Sequence, residues 1–279
     1  MKHFVVITNK DKDQGLELSN RVKSLLDSRG AECRIYQKYK KADTAPIKLP
    51  ENTECVLVIG GDGTILNAAS RLIGSNIPLL GINRGTLGFL ADIDVNELEM
   101  TIDDLLGDHY QLEKRIMLRA DVLREGKCIE SYTVLNDVVI NRLNFGKVVG
   151  LSVSINDRFS DSYRADGVVV CTPTGATGYN LSAGGPVINP TCKNFLITPI
   201  CPHSLASRSV VLAKEDTVTI EVMDLRGRDK EQAVVSFDGK EGIHLRDRDQ
   251  VRIYRAKEVT PFIKTKEISF TRILKEKLV

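Results

Sequence analysis

The sequence predicts two domains: an α/β N-terminal domain with a mostly parallel sheet over residues 1–106, and a β-rich, sandwich-like domain over residues 107–261. Three observations carry this. Before Gly107, short unbroken apolar runs alternate with stretches whose apolar residues recur at helical spacing. From Tyr110 onward the apolar period is two. The chain has 279 residues, long for one domain and comfortable for two of ~150 residues each.

Phe4-Val-Val-Ile7 forms the centre of a first strand. Leu18, Val22, Leu25 and Leu26 line one face of a helix that Arg29-Gly30 closes. Residues 33–36 read as a second strand, and a polar loop over 37–54 leads to a central strand at 55–59. That last run is continuously apolar and rich in β-branched residues, which suits burial on both faces. Gly60-Gly61-Asp62-Gly63 turns the chain. Thr64 then opens a helix with Ile65, Leu66, Ala69, Leu72 and Ile73 at helical spacing. Residues 77–82 form another buried run, and 95–106 a helix ending at Gly107.

A strand, a glycine turn and a helix N-terminus together make a geometry that binds phosphate. Glycines permit close approach, and free backbone N–H groups face the anion at the positive helix end. Gly60, Gly61, Gly63 and Thr64 are therefore the expected phosphate loop. There is no Gly-x-x-x-x-Gly-Lys-Ser/Thr, and Gly-x-Gly-x-x-Gly fails because its third glycine would fall at Leu66. A single acid, Asp62, stands in the cradle instead. Either it takes a proton from a hydroxyl or holds a metal beside the phosphates, or it is a turn residue. The second glycine-punctuated loop, residues 83–90, also follows a strand. In an open parallel sheet such loops converge at the carboxyl ends of the strands, which puts residues 83–89 beside Asp62; a plain turn is the alternative.

In the second domain Val149, Leu151, Val153 and Ile155 alternate with small or polar residues, as do Val218, Ile220 and Val222, then Val251 and Ile253. Several strands at close spacing suggest an antiparallel sandwich. The tail, residues 262–279, starts like a strand and ends amphipathic; it either returns to the first domain or caps the second. Two polar islands interrupt the pattern. Asn136 and Asp137 sit in an apolar strand read over 134–140. Buried, they need partners, and they suit a sugar or base; a strand end meeting solvent is the alternative. Residues 164–186 hold Asp166-Gly167 as a turn, a buried strand at 168–171, and a short helix over 177–182 ended by Gly184-Gly185. Thr174, Thr177, Tyr179 and Ser182 cluster there as short donors and acceptors for a nucleotide.

Composition narrows the classes. Hydrophobic content of 42%, charged content of 27% and a net charge of +2 describe an ordinary globular protein with no nucleic-acid-binding surface. The dense basic run at 38–41 fits a solvated loop. The N-terminus enters a strand with no signal-peptide pattern, and no apolar run approaches the ~18 residues of a membrane span. The six cysteines are scattered without CxxC spacing, so disulfides are not expected and the cytoplasm is the expected compartment. Cys201-Pro-His203 is too small a set for a metal site.

Together these islands resemble the NAD kinase family. The matching pieces are Gly60-Gly-Asp-Gly-Thr64, Asn83-Arg-Gly-Thr-Leu-Gly-Phe89, Leu135-Asn-Asp137, Asp166-Gly167, Thr172-Pro-Thr-Gly-Ala-Thr-Gly-Tyr179, Leu181-Ser-Ala-Gly-Gly-Pro186 and Ile197-Thr-Pro-Ile-Cys-Pro-His-Ser204. Gly-Gly-Asp-Gly is shared with phosphofructokinases and lipid kinases, whereas the Thr/Ser-rich run with its Gly-Gly-Pro is far more specific.

The resemblance implies a site in the cleft between the domains and transfer of phosphate from ATP to NAD. ATP would enter as its magnesium complex, with no tightly bound cofactor, and polyphosphate stays open as an alternative donor. It implies a homodimer or homotetramer, while the charge balance and the lack of a long apolar run point to neither a nucleic-acid partner nor a membrane. Asp62 would be the base for the 2′-hydroxyl of the adenosine ribose, and Asn136 and Asp137 would contact the adenosine part. Asp166, Thr177, Gly178, Tyr179 and Ser182 would line the rest of the dinucleotide, with Gly63, Phe89, Thr174, Asn180 and Leu181 beside them. Arg164 and Lys147 match basic positions near it. The chain departs from the family where Asp137 replaces the usual glutamate, Gly178 the commoner alanine, and Thr86 a larger polar residue. The competing readings are a lipid or sugar-phosphate kinase of the Gly-Gly-Asp-Gly type and a non-catalytic nucleotide sensor.

Overall fold

The computed structural model describes all residues except 10–12, 37–44, 84–87, 92, 144–145, 205, 224–232, 241, 267–268 and 279. The basic run at 38–41 and Thr86 therefore lie outside the described residues. The chain divides into two compact units, Met1–Arg115 with Val259–Val279, and Ile116–Glu258.

In the first unit, β1 (His3–Thr8), β2 (Glu32–Tyr36), β3 (Cys55–Ile59), β4 (Leu79–Asn83) and the short β5 (Ile93–Asp94) form an all-parallel sheet in the order 2-1-3-4-5. Every residue of β3 and β4 is buried, as expected of parallel strands covered on both faces. α1 (Glu17–Asp27) and α3 (Leu98–Leu106) pack on one face. Leu18, Val22 and Leu26 from α1, with Leu98, Ile102 and Leu105 from α3, join Phe4, Val6, Leu57, Ile59, Leu80 and Ile82 in one core. Side chains alternate across a strand, so Gly81 faces the other way, where Ile65 of α2 (Asp62–Arg71) lies against it.

α2 ends at Arg71, so Leu72 is its C-cap and Ile73, expected on the apolar face, is exposed beyond the helix. The turn 95–97 that leads into α3 is a 3₁₀ turn, closed at Asp94 by a capping box with Glu97.

The second unit is built from two antiparallel sheets. One contains the second-unit part of β6 (Gln111–Arg124) and β7 (Lys127–Val134). It also contains β9 (Val149–Ile155), β10 (Arg158–Ala165), β14 (Thr217–Met223) and the first part of β17 (Gln250–Lys264). The other runs β13-β12-β11-β8-β15-β16. Its strands are β8 (Asp137–Arg142), β11 (Gly167–Cys171), β12 (Phe195–Ile200), β13 (Val210–Leu212), β15 (Ala233–Phe237) and β16 (Ile243–Leu245).

Inward residues of both sheets, such as Leu151, Val153, Val218 and Ile220 against Val138, Ile140, Val168 and Val170, form the central core. The second sheet is also covered outside: Val139, Val169, Cys171 and Leu196 pack with Ala176, Ala183 and Ile188. The run 172–188, with the one-turn helix α4 (Tyr179–Ser182), is therefore laid across that outer face.

The unit boundaries fall inside β6 and β17, not at the composition change at Gly107. The tail belongs to the first unit. Phe262 pairs in parallel with Leu79, Ile263 joins the first core, and α5 (Phe270–Leu278) follows.

Candidate functional site

Each unit carries one cluster of the residues singled out in the sequence. In the first unit the chain leaves β3, beside the point where β1 is flanked by β2 and β3, the position at which open α/β sheets bind ligands. Gly60 adopts φ +153°, and a Cβ there would lie 2.5 Å from the Thr64 hydroxyl. Gly61 is the N-cap of α2 with no side-chain cap, so the first-turn amides of Asp62 and Gly63 are left as donors. Gly63 is exposed, and a Cβ on it would meet nothing within 4 Å. Thr64 is buried under Gly60 and spends its N–H on the Gly61 carbonyl at 2.8 Å. It supports the loop from beneath.

Asp62 is the first residue of the helix, and its carboxylate folds back onto the second glycine loop. Oδ2 accepts the Phe89 N–H at 2.8 Å and Oδ1 the Leu90 N–H at 3.0 Å. Gly88 is pressed so closely that a Cβ would stand 1.9 Å from Oδ1. Of the loop's described residues, Gly88, Phe89 and Leu90 meet Asp62. The two amides fix the carboxylate's orientation while each oxygen keeps lone-pair capacity for a further donor. The Lys277 ammonium, from α5, sits over the Phe89 ring 4.1 Å from its centre.

In the second unit the run 134–140 is not one strand. β7 ends at Val134, Leu135 and Asn136 form a bend, and β8 starts at Asp137. The bend's amides are taken by a residue far along the chain: Asp238 accepts N–H from Leu135 at 2.8 Å, Asn136 at 2.7 Å and Asp137 at 3.1 Å. Its carbonyls are held from the other side. Thr172 Oγ1 donates to Leu135 at 2.6 Å, and Thr172 N–H donates to Asn136 at 2.8 Å. Asp137 is buried, and that burial, with the neighbouring Asp238 carboxylate, pushes its carboxyl up to about 7. Burial also raises Asp238, against the pull of the three amides and Lys240.

The expected helix over 177–182 is broken. A 3₁₀ turn covers 175–177, α4 covers Tyr179–Ser182, and Gly178 between them has φ −93° and ψ −130°. A Cβ on Gly178 would come 3.7 Å from Asn136 Nδ2 and 4.0 Å from Asp137 Oδ2. Gly178 thus sits beside the Asn136–Asp137 pair. Tyr179 and Ser182 are exposed, Thr177 and Leu181 are half-buried, and Thr174 is buried.

Asn180 is fully buried. Its amide donates to the Ala176 and Pro186 carbonyls at 3.1 and 3.0 Å and accepts from Thr198 at 2.6 Å. Its side chain fastens the run to the sheet. Asp166 pairs with Arg142, Oδ1 to Nε at 2.7 Å. Arg164 and Lys147 are exposed. The sequence reading missed Asp238, Thr172 as a clamp, and Arg142. Only the Asp238-Gly239 turn signal could have drawn attention to the first.

Two family models match the chain, the ATP-NAD kinase N-terminal domain over residues 30–110 and the ATP-NAD kinase C-terminal domain over residues 135–265. The NAD kinase of Lachnoclostridium phytofermentans is 40% identical over 281 residues, covering 99% of both chains. The chain belongs to the NAD kinase family. The NAD kinase of Caldanaerobacter subterraneus subsp. tengcongensis is 38% identical over 288 residues, covering 100% of this chain and 99% of its own.

Two solved structures share the NAD kinase fold. Yeast NADH kinase complexed with NADH aligns with a TM-score of 0.85 at 23% identity, covering 100% of this chain and 87% of its own. An NAD kinase from Archaeoglobus fulgidus in complex with ATP aligns at 0.76 and 22% identity, covering 95% and 94%. All six cysteines of this NAD kinase family member are free. Among the described residues no helix is long and apolar enough to cross a membrane.

Proposed function

We propose that this chain is an NAD kinase that transfers the terminal phosphoryl group of ATP to the 2′-hydroxyl of the adenosine ribose of NAD, giving NADP and ADP. The observation that carries the reading is the Asp62 carboxylate, oriented by the Phe89 and Leu90 amides at an open, glycine-flanked helix N-terminus. Phosphoryl transfer asks a protein mainly to position reactants and neutralise charge. The Asp62 and Gly63 amides would hold phosphate oxygens, and magnesium, arriving as part of the Mg-ATP substrate, would neutralise the rest.

The 2′-oxygen attacks the terminal phosphorus, its proton passes to Asp62, and the bond to the ADP oxygen breaks. Asn136 and Asp137 would take the adenosine part. Asp166, Thr177, Gly178, Tyr179 and Ser182 would line the remainder, with Arg164 and Lys147 offering positive charge near the dinucleotide. The working form would be a homodimer or homotetramer in the cytoplasm.

Incubation with NAD and Mg-ATP, read by chromatography, is expected to yield NADP and ADP in equal amounts. Saturable NAD binding without NADP would instead mark a nucleotide sensor and end the reading. Labelled ATP that phosphorylates a lipid or sugar phosphate but not NAD would end it equally.

A further inference from the structure

We propose that Asp238 is a positioning residue for the dinucleotide, fixing the Leu135–Asp137 bend so that Asn136 and Asp137 face a ligand at a set spacing. The proposal rests on the NAD-binding part of the reading above. The bend interrupts a chain that is otherwise in ladders, so its amides need partners from elsewhere. One carboxylate supplies them all, at 2.8, 2.7 and 3.1 Å. Consecutive backbone N–H groups around one anion make a charge-assisted cradle, stronger than ordinary neutral hydrogen bonds.

Asp238 adopts φ +49° and is followed by Gly239 at φ +68°. Asparagine or glycine would suit that left-handed turn as well as aspartate does. The turn does not require a carboxylate; the three amides do.

The strands on either side do not need Asp238 to stay paired. β15 and β8 are already in register through Ser236 with Val139 and Phe237 with Val138, and both contribute to the central core. The carboxylate acts just beyond the Phe237–Val138 pairing of β15 with β8, at the amides of Leu135, Asn136 and Asp137. Asn136 Oδ1 is buried without a hydrogen-bond partner. A buried acceptor without a partner is costly, and a donor on a bound ligand would satisfy it. Asp238 holds the amide side of the bend and Thr172 the carbonyl side.

The test compares wild type, Asp238→Asn and Thr172→Val in steady-state kinetics with NAD and Mg-ATP varied separately. Asp238→Asn keeps the size but turns an amide N–H₂ or a weaker acceptor toward the cradle. Thr172→Val keeps the shape and removes the hydroxyl. Each is expected to raise the KM for NAD about tenfold or more. The KM for ATP and the kcat at saturating NAD should stay within about twofold, and amide exchange at Leu135 and Asn136 should quicken.

An unchanged KM for NAD in folded Asp238→Asn would overturn the proposal. So would an equal fall in both substrates' kcat/KM, the mark of lost folded protein. If Asp238→Asn does not fold, Thr172→Val decides by the same two criteria. Failure of wild type to form NADP would instead strike the parent reading, which separates the two.

Discussion

Asp62 and Phe89 are joined by a 2.8 Å hydrogen bond from the Phe89 amide to the Asp62 carboxylate, and Leu90 supplies a second at 3.0 Å. The acid is thus locked to the loop that follows β4 and does not hang in the cradle. Asp62→Asn keeps the shape but cannot take a proton. It is expected to retain NAD binding while kcat falls roughly 10²–10⁴-fold. Turnover near the wild-type rate would remove Asp62 from the role of base.

The same lock can be forced open from the other side. A methyl group at Gly88 would stand 1.9 Å from Asp62 Oδ1, a distance no packed atoms share. Gly88→Ala should therefore displace the carboxylate and lower kcat at least as far as about tenfold, with folding retained. Kinetics alongside circular dichroism check it. An unaltered kcat would show that Asp62's orientation is dispensable.

Gly60 and Gly63 separate stability from ligand binding. Gly60 is at φ +153° with Thr64 2.5 Å from any added Cβ, whereas Gly63 has open space around it. Gly60→Ala is expected to lower the Tm. Gly63→Ala should leave the Tm within about 2 °C yet raise the KM for ATP, because the new methyl occupies the space over the helix amides. Thermal melts and kinetics on the pair distinguish the two effects.

Asp137 makes the enzyme's response to pH readable. Its carboxyl is pushed from 3.8 up to about 7 by burial, then by Asp238. The Cys171 thiol opposite it in the ladder is itself raised by burial, and Lys240 acts on Asp238. If ionised Asp137 accepts a ribose hydroxyl, the KM for NAD should rise as pH falls from about 8 to about 6, and Asp137→Asn should flatten that profile.

Stability carries the opposite sign. Between about pH 4 and 7 the folded carboxyl keeps a proton that the unfolded one has released, so stability falls as pH rises through that window. Asp137→Asn should therefore gain Tm relative to wild type at pH 8 and not at pH 4, by differential scanning calorimetry. An equal change at both would place the residue's ordinary value unshifted.

Much of the fold is legible locally. The parallel strands are read from apolar runs such as 55–59, and the sandwich strands from the alternation at Val149, Leu151 and Val153, because burial on two faces or one imposes those periods. The ends of elements are less legible. Ile73 continues α2's apolar spacing but lies past its last turn, since spacing does not report where the backbone stops. Asn180 looks like one more polar group in a ligand-rich run. It is buried and satisfied by the Ala176 and Pro186 carbonyls and by Thr198, which reaches it from eighteen residues on.

By itself the sequence determined the two kinds of layer, the glycine turn with its lone acid, and the family to which the chain belongs. Only the tertiary structure decided what those polar groups touch. Asp62 is turned onto Phe89, 27 residues away, and the bend at Leu135 and Asn136 is made by Asp238, 103 and 102 residues away. Periodicity records burial, a property of each segment. A hydrogen bond between distant segments depends on where the whole chain brings them, and no local pattern encodes that.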